Sequence, residues 1–272
     1  MTDAAKRFRE EGNRRFQKGD YNMAESLYSQ AIIADPKNHV LYTNRAMARL
    51  KTNQWENVVA DCRTCLGLDP DNMKARYYLS QAQYALQDYD DALKHALEGH
   101  ALCVKNGDKS MQNLTDQVLK CKKARWDQRE KKRKREASDL EREVIRLLEQ
   151  ERDTELAEYT DEGTRKEISD EWEQKIGSMR AVFDKANPQK EPPRPDPPAW
   201  AIDDISFNFM VDPVITKTGK SYERSSIESY LRRVPLDPLT REPLFITDLR
   251  PNIDLKKACE DYLEENGWAV DY

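Results

Sequence analysis

The sequence predicts a mainly α-helical chain in three parts: a three-repeat helical solenoid, a charged helical hairpin, and a small α+β domain at the C-terminal end. Three observations carry this. The first hundred residues repeat with a fixed period; residues 108–159 contain neither Pro nor Gly; and the last seventy pair short extended runs with two short helical ones. Charged residues make up 35% of the 272 and hydrophobic residues 38%, which suits extended helices and repeats better than one large core.

Gly12, Ala46 and Ser80 stand 34 residues apart, as do Tyr21, Trp55 and Tyr89, and Ala24, Val58 and Ala92. Pro36 and Pro70 keep the same spacing, each after an Asp. Small residues let paired helices approach closely, an aromatic fills the wedge at the turn, and Pro ends the second helix. Over residues 5–106 the pattern resembles three tetratricopeptide repeats (TPR). Cys62 and Cys65 form a C-x-x-C, but no second Cys/His pair lies nearby, so they read as core filler rather than as a metal or redox pair.

A solenoid of this kind is concave on the face made by the first helix of each repeat. Arg9 and Asn13 in the first repeat, Asn44 in the second and Lys74 in the third fall on that face. They resemble the carboxylate clamp of chaperone-binding TPR domains, in which cations and amide donors receive a peptide ending in nearby carboxylates. The resemblance implies a heat-shock chaperone's C-terminal peptide as partner. Two positions depart from it: Arg9 replaces a Lys, and Tyr78 stands where many clamps carry Arg, so that it could pack an apolar side chain of the peptide.

Residues 107–187 read as a charged helical hairpin for dimerisation. Leu114, Val118, Leu119, Cys121 and Trp126 belong to a capping helix from about Asp108, which continues toward Tyr159 with a thin apolar stripe of Leu140, Val144, Leu147, Leu148 and Leu156. After a turn at Asp161–Thr164, a second helix spaces Ile168, Trp172, Ile176, Met179 and Phe183 on one face. One isolated hairpin is expected to leave much of Trp172 and Phe183 exposed, which predicts a homodimer; folding back onto another domain is the alternative. The basic run Lys131–Arg135 reads as a solvated helix face or a nuclear address signal, and lacks the interleaved aromatics of nucleic-acid binding. Residues 188–199 form a proline-rich linker, with six prolines among 188–198.

In residues 200–272, Val214–Thr216 and Ser221–Glu223 flank a turn at Gly219 and predict a β-hairpin. A helix capped by Ser225 or Ser226 should follow, and a last helix capped by Asn252 should bury Leu255, Ala258, Cys259 and Tyr262. Loop, hairpin, helix, loop, helix is a RING outline, yet the segment has one Cys and no His against the eight zinc ligands of a RING. Ile205-Ser206-Phe207, Met210 with Asp212-Pro213-Val214, Gly219, Tyr222 and Asp237-Pro238-Leu239-Thr240-Arg241 resemble the U-box, a RING-shaped domain without zinc. Asp212, Asp237, Arg241 and Asn252 are candidates for the polar network in place of the metal. The order of repeats, hairpin and U-box resembles the family of chaperone-associated ubiquitin ligases. The resemblance implies that Ile205, Phe207, Pro238 and Leu239 floor the groove for a ubiquitin-conjugating enzyme, unless Ile205 and Phe207 are ordinary core. It also implies that Arg241 is the donor holding the ubiquitin-loaded enzyme in its reactive state, with no covalent intermediate on the ligase.

A net charge of −5 argues against a general nucleic-acid binder, and five irregularly spaced Cys argue for a reducing compartment. The N-terminal residues lack an apolar leader core and no run reaches the ~18 apolar residues of a membrane span, so a cytoplasmic protein, with a nuclear option from the basic run, is expected. No cofactor and no metal are expected. Two functions follow: a co-chaperone ubiquitin ligase acting on misfolded client proteins, or a non-enzymatic co-chaperone adaptor with a purely structural C-terminal domain.

Overall fold

The computed structural model describes residues 2–108, 110–186 and 195–271. Six helices form three antiparallel pairs: α1 (Asp3–Gln17) with α2 (Tyr21–Ala34), α3 (His39–Lys51) with α4 (Trp55–Leu68), and α5 (Met73–Ala85) with α6 (Tyr89–Asn106). These are the TPR-like pairs expected from the 34-residue period, and their starts are set locally: Asp20, Asn38 and Asn72 each accept a hydrogen bond from a first-turn backbone N–H. The small residues are required. A Cβ on Gly12 would stand 2.6 Å from the Tyr28 ring, and Ala46 and Ser80 at the equivalent positions are fully buried. Gly19, Asn53 and Gln87 occupy one repeat position, in the turn within each pair, and all three are left-handed. An ion-pair network crosses from the first pair to the second: Asp61 takes Arg45 at 2.6 Å and Arg49 at 2.9 Å, and Arg49 also reaches Glu25 at 2.7 Å. Cys62 and Cys65 are fully buried free thiols in the core of the second pair.

Helix α7 (Met111–Glu158) runs 48 residues without a break. Two compact units divide it: residues 1–126 with 197–272 form one, and residues 127–196 the other. The sequence boundary at 107 therefore shifts. The first turns of α7 belong with the repeats because Leu114, Val118, Leu119 and Cys121 are core there. Of the proline-rich linker, residues 188–194 lie outside the described residues.

In the second unit, the rest of α7 pairs with α8 (Glu162–Ala186). Trp172 donates to Glu155 at 2.6 Å and Arg180 to Glu149 at 3.2 Å, which sets the antiparallel register. Asp161 caps α8 through the Thr164 N–H at 2.8 Å, so Gly163 lies inside the helix rather than in the turn. Trp172 and Ile176 are already buried within the single chain, which corrects the expectation that Trp172 needs a second copy. The apolar residues left out are Leu140, Leu147 and Val182, each more than half exposed.

The C-terminal part of the first unit has a three-stranded antiparallel sheet in the order β2-β1-β3: β1 (Pro213–Ile215), β2 (Ser221–Glu223) and β3 (Arg250–Pro251). The β1–β2 turn has Gly219 at φ +85°. Helix α9 (Arg224–Leu231) starts on Glu223 with no side-chain cap, so Ser225 and Ser226 are not the caps expected. Asn252 does cap α10 (Ile253–Glu265), accepting from the Leu255 N–H at 3.1 Å. Helix α10 buries Cys259 and Leu263, whereas Ala258 is exposed and Leu255 and Tyr262 are partly covered.

Two apolar clusters hold this part. One is its own: Val214, Tyr222, Ile227, Leu231, Leu244 and Leu249. The other is shared with the repeats. Ala92, Leu93 and Ala96 of α6 and Val118, Leu119 and Cys121 of α7 pack with Phe209, Met210, Val211, Cys259 and Leu263. Trp126 donates to the Glu265 carbonyl at 3.2 Å, and an ion pair joins Arg125 to Glu264. The seam is tight enough that a Cβ on Gly267 would collide with Trp126. Repeats and C-terminal domain thus share one core.

Candidate functional site: twin loops and a donor-lined groove

The stretches quoted as docking loops in the sequence turn out to be one loop built twice. Loop 1 (residues 203–208) is closed by the isolated bridge Ile202↔Phe209, and loop 2 (residues 237–242) by Leu236↔Pro243. Each opens with an Asp. The Asp203 N–H donates to the Asn208 carbonyl at 2.9 Å, and the Asp237 N–H to the Glu242 carbonyl at 2.8 Å. Four residues after each Asp the chain turns left-handed, at Phe207 (φ 58°) and Arg241 (φ 64°), and those residues donate back to the Asp203 and Asp237 carbonyls at 2.8 and 2.9 Å. A left-handed non-glycine costs ~1–3 kcal/mol and persists only where its surroundings enforce it.

The enforcing groups are buried carboxylates. Asp203, fully buried, accepts from the Ser206 N–H at 2.8 Å, the Ser206 hydroxyl at 2.7 Å, the Ser226 hydroxyl at 2.7 Å and the Glu223 N–H at 2.9 Å. Asp237, 2% exposed, accepts from the N–H groups of Leu239 (2.8 Å) and Thr240 (3.2 Å) and from the Thr218 hydroxyl (3.1 Å). Glu223 accepts from the N–H groups of Val211 and Asp212 at 2.7 and 2.9 Å. Asp212 pairs with Arg224 at 2.6 Å and Lys256 at 3.2 Å, and these cations outweigh its burial and hold its carboxyl below the usual range. Asn252 joins through the Ser221 hydroxyl at 3.0 Å.

Of the network members read from sequence, Asp212, Asp237 and Asn252 are placed in it. Arg241 is not: it is exposed, with one contact from Nη1 to the Tyr230 hydroxyl at 3.5 Å. Asp203 and Glu223 were missed, although Asp-x-x-Ser at 203 and Asp-x-x-Thr at 237 repeat one capping pattern. Loop 1 presents Phe207 at 73% exposure, with Ile205 partly covered by the domain's own core. Loop 2 presents Leu239 at 66%, with Pro238 partly covered beside it. Phe207 is therefore not core. Cys259 is 1% exposed, and burial pushes its thiol up to about 12.

The other candidate site lies on the first helices of the repeats. Arg9 and Asn13 sit on α1, Asn44 on α3, Lys74 and Tyr78 on α5. Among the described residues none of the five spends a side-chain donor on a hydrogen bond. The Arg9 Nε is buried without a hydrogen-bond partner. Asn13 accepts from the Tyr28 hydroxyl at 2.9 Å, which turns its amide N–H₂ away from Tyr28. By contrast, Arg45 and Arg49 in the same repeats are paired, and Arg76 pairs with Glu98 through Nη1 although its Nε, like that of Arg9, is buried without a partner. Tyr78 is half-buried and lines a cavity of about 570 Å³ with Met47, Leu50, Trp55, Tyr77 and Tyr84, flanked by Lys51 and Lys120.

Among the described residues no cluster of His, Cys, Asp or Glu could hold a metal ion, and no helix is long and apolar enough to cross a membrane. Residues 198–268 match the family model of the U-box domain, following helical repeats of the TPR type. The chain is similar over nearly its whole length to E3 ubiquitin-protein ligase CHIP of Arabidopsis thaliana, at 28% identity over 97% of this chain and 95% of that protein. The repeats are also similar to stress-induced-phosphoprotein 1 of Caenorhabditis elegans, 31% identical over 43% of this chain and 41% of that one. Among solved structures, the TPR2B domain of yeast Sti1 in complex with an Hsp70 peptide covers 44% of this chain and 97% of its own, at 26% identity and a TM-score of 0.43.

The network carries a pH signature. Burial pushes the Glu223 carboxyl up to about 7, with Asp212 and Asp203 nearby adding to the rise and two backbone N–H groups opposing it. A carboxyl raised in the folded state stabilises fully below its unfolded value near 4.5, and that contribution is lost as pH rises through about 7. His100 runs the other way. Burial lowers it to about 4, so its contribution is lost as pH falls below 6.5. The difference between wild type and Glu223→Gln cancels His100. Measured by denaturant unfolding, wild-type stability relative to Glu223→Gln should fall by about 3 kcal/mol between pH 4.5 and 7.5; a flat difference would show that Glu223 stays ionised throughout.

Proposed function

We propose that this protein is a ubiquitin ligase of the positioning type, which binds the acidic C-terminal tail of a heat-shock chaperone and brings a ubiquitin-loaded conjugating enzyme to chaperone-bound clients. One observation carries it: a U-box on which twin Asp-capped loops hold Phe207 and Leu239 out in solvent and Arg241 beside them. Exposed large apolar side chains held by strained backbone fit a docking face. The chain's end-to-end similarity to a CHIP ligase supports the same reading.

In the proposed reaction the conjugating enzyme docks on Ile205, Phe207, Pro238 and Leu239. Arg241 donates to the docked pair and restrains the loaded ubiquitin. A client lysine amine attacks the thioester carbonyl carbon; the isopeptide C–N bond forms, the C–S bond breaks, the enzyme's thiolate leaves, and the amine's proton passes to solvent. No residue of this chain bonds to ubiquitin, and the rate gain is that of holding reactants in place. The clamp supplies selection. Arg9, Asn13, Asn44 and Lys74 receive the peptide's terminal carboxylates with unspent donors, each charge-assisted bond contributing roughly 1.5–3 kcal/mol. The aromatic cavity around Tyr78 receives an apolar side chain of the same peptide.

The hairpin is proposed to make a homodimer. Leu140, Leu147 and Val182 remain exposed after Trp172 and Ile176 are buried, and a second copy would cover them. Sedimentation of the full chain should give a dimer that Leu140→Glu with Leu147→Glu makes monomeric; a wild-type monomer at high concentration contradicts it.

The two halves separate by mutation. With activating enzyme, conjugating enzyme, ubiquitin and a chaperone, wild type should build ubiquitin chains. Arg241→Ala should lose at least tenfold in chain formation and keep peptide binding. Lys74→Ala should lose tenfold or more in peptide affinity and keep discharge of the loaded conjugating enzyme onto free lysine. A wild type that binds the peptide and builds no chains with any conjugating enzyme is an adaptor, and the ligase reading falls.

A further inference from the structure

We propose that Thr218 is a positioning residue for ubiquitin transfer, acting through Asp237 on the loop that carries Arg241. The proposal rests on the ligase reading above and names a determinant outside both docking loops.

The two loops are alike inside and differ in how they are tied to the domain. In loop 1 the Asp203 carboxylate receives two donors from beyond its own loop: the Ser226 hydroxyl at 2.7 Å and the Glu223 N–H at 2.9 Å. In loop 2 the Asp237 carboxylate receives one, the Thr218 hydroxyl at 3.1 Å; its other donors, the Leu239 and Thr240 N–H groups, move with the loop. Thr218 is thus the one side-chain strut reaching this carboxylate from outside the loop among the described residues.

The strut stands on a firm base. Thr218 sits in the β1–β2 turn, where the Thr216 N–H donates to the Lys220 carbonyl and the Gly219 N–H to the Thr216 carbonyl, both at 3.0 Å. The Thr216 hydroxyl, 5% exposed, lies 2.7 Å from the Thr218 hydroxyl. When Thr218 donates to Asp237, its oxygen is left as an acceptor for the Thr216 hydroxyl, whose one proton also reaches the Lys220 carbonyl at 3.2 Å, so the strut is tied to the hairpin through a shared proton. Lys217 pairs with Asp248 at 2.9 Å and pins the same turn from its other side.

Removing the strut leaves a buried carboxylate oxygen short of its outside donor, and such a group draws the loop toward water. The part of loop 2 that must hold its place is Arg241, whose left-handed backbone donates to the Asp237 carbonyl. Loop 1, with Ile205 and Phe207, keeps both of its ties. In loop 2 the Leu239 and Thr240 N–H groups still hold the Asp237 carboxylate, which keeps Pro238 and Leu239 in their turn, so the consequence is a split: transfer suffers more than docking.

Thr218→Val, nearly isosteric and unable to donate, tests this in the full chain. Two quantities are read: the affinity for the unloaded conjugating enzyme, and the single-turnover discharge of the ubiquitin thioester onto free lysine at saturating ligase. Thr218→Val should keep affinity within about threefold and lose about tenfold in discharge rate, the size of one lost hydrogen bond to a charged group. Thr218→Ser should restore the rate. Unchanged discharge in Thr218→Val overturns the proposal, as does a joint fall of affinity, rate and melting temperature, which marks a merely structural residue. A wild type that discharges nothing overturns the ligase reading itself, and this inference with it.

Discussion

Two loops have to be held in a shape their backbones resist. The constraint is met by burying a carboxylate at the root of each. Asp203 and Asp237 each gather hydrogen bonds that fix the turn, and the left-handed residue four places on is carried outward. A buried carboxylate with every oxygen satisfied makes a rigid knot; one left short of donors is costly. Glu223 and Asp212 extend the same logic through the sheet to α9 and α10. The polar interior therefore does the work of a structural metal site, and the exposed faces of Phe207, Leu239 and Arg241 depend on it.

A domain of about seventy residues has little apolar interior to spend on such a network. The structure makes up the difference by sharing a core with the repeats. Phe209, Met210 and Val211 follow directly on loop 1, and they pack against α6 and α7. The same α7 contributes Gln117 and Lys120 to the cavity around Tyr78 and Val118, Leu119 and Cys121 to the shared core. The proposed clamp and the proposed docking loops are thus built into one compact body, a frame on which both proposed partners can be held at once.

The solenoid was legible because repetition multiplies weak signals. Gly12, Ala46 and Ser80 each say little alone, yet together they fix a period, and the structure shows the close contact that demands them. The U-box outline was legible from the hairpin glycine and the Asp-Pro-Leu-Thr-Arg stretch. The twin loops were not, because Asp203 reads as one half of an exposed acidic pair and the residues between differ in kind. Nor was β3, two residues containing a proline, or the burial of Trp172, which needs the neighbouring helix to be in place. Most of what escaped was set by contacts between segments far apart in sequence; the Asp-x-x-Ser and Asp-x-x-Thr roots of the loops and the start of α9 are local features whose signal was weak.

The measurement that tests the account most directly is amide hydrogen exchange on the intact chain with and without a conjugating enzyme. Docking on the twin loops predicts added protection in residues 203–209 and 237–243 together, with the repeats' clamp helices unchanged. Protection in one loop alone, or at α8 or α1 and none at the loops, would contradict the claim that these two Asp-rooted turns form one docking face.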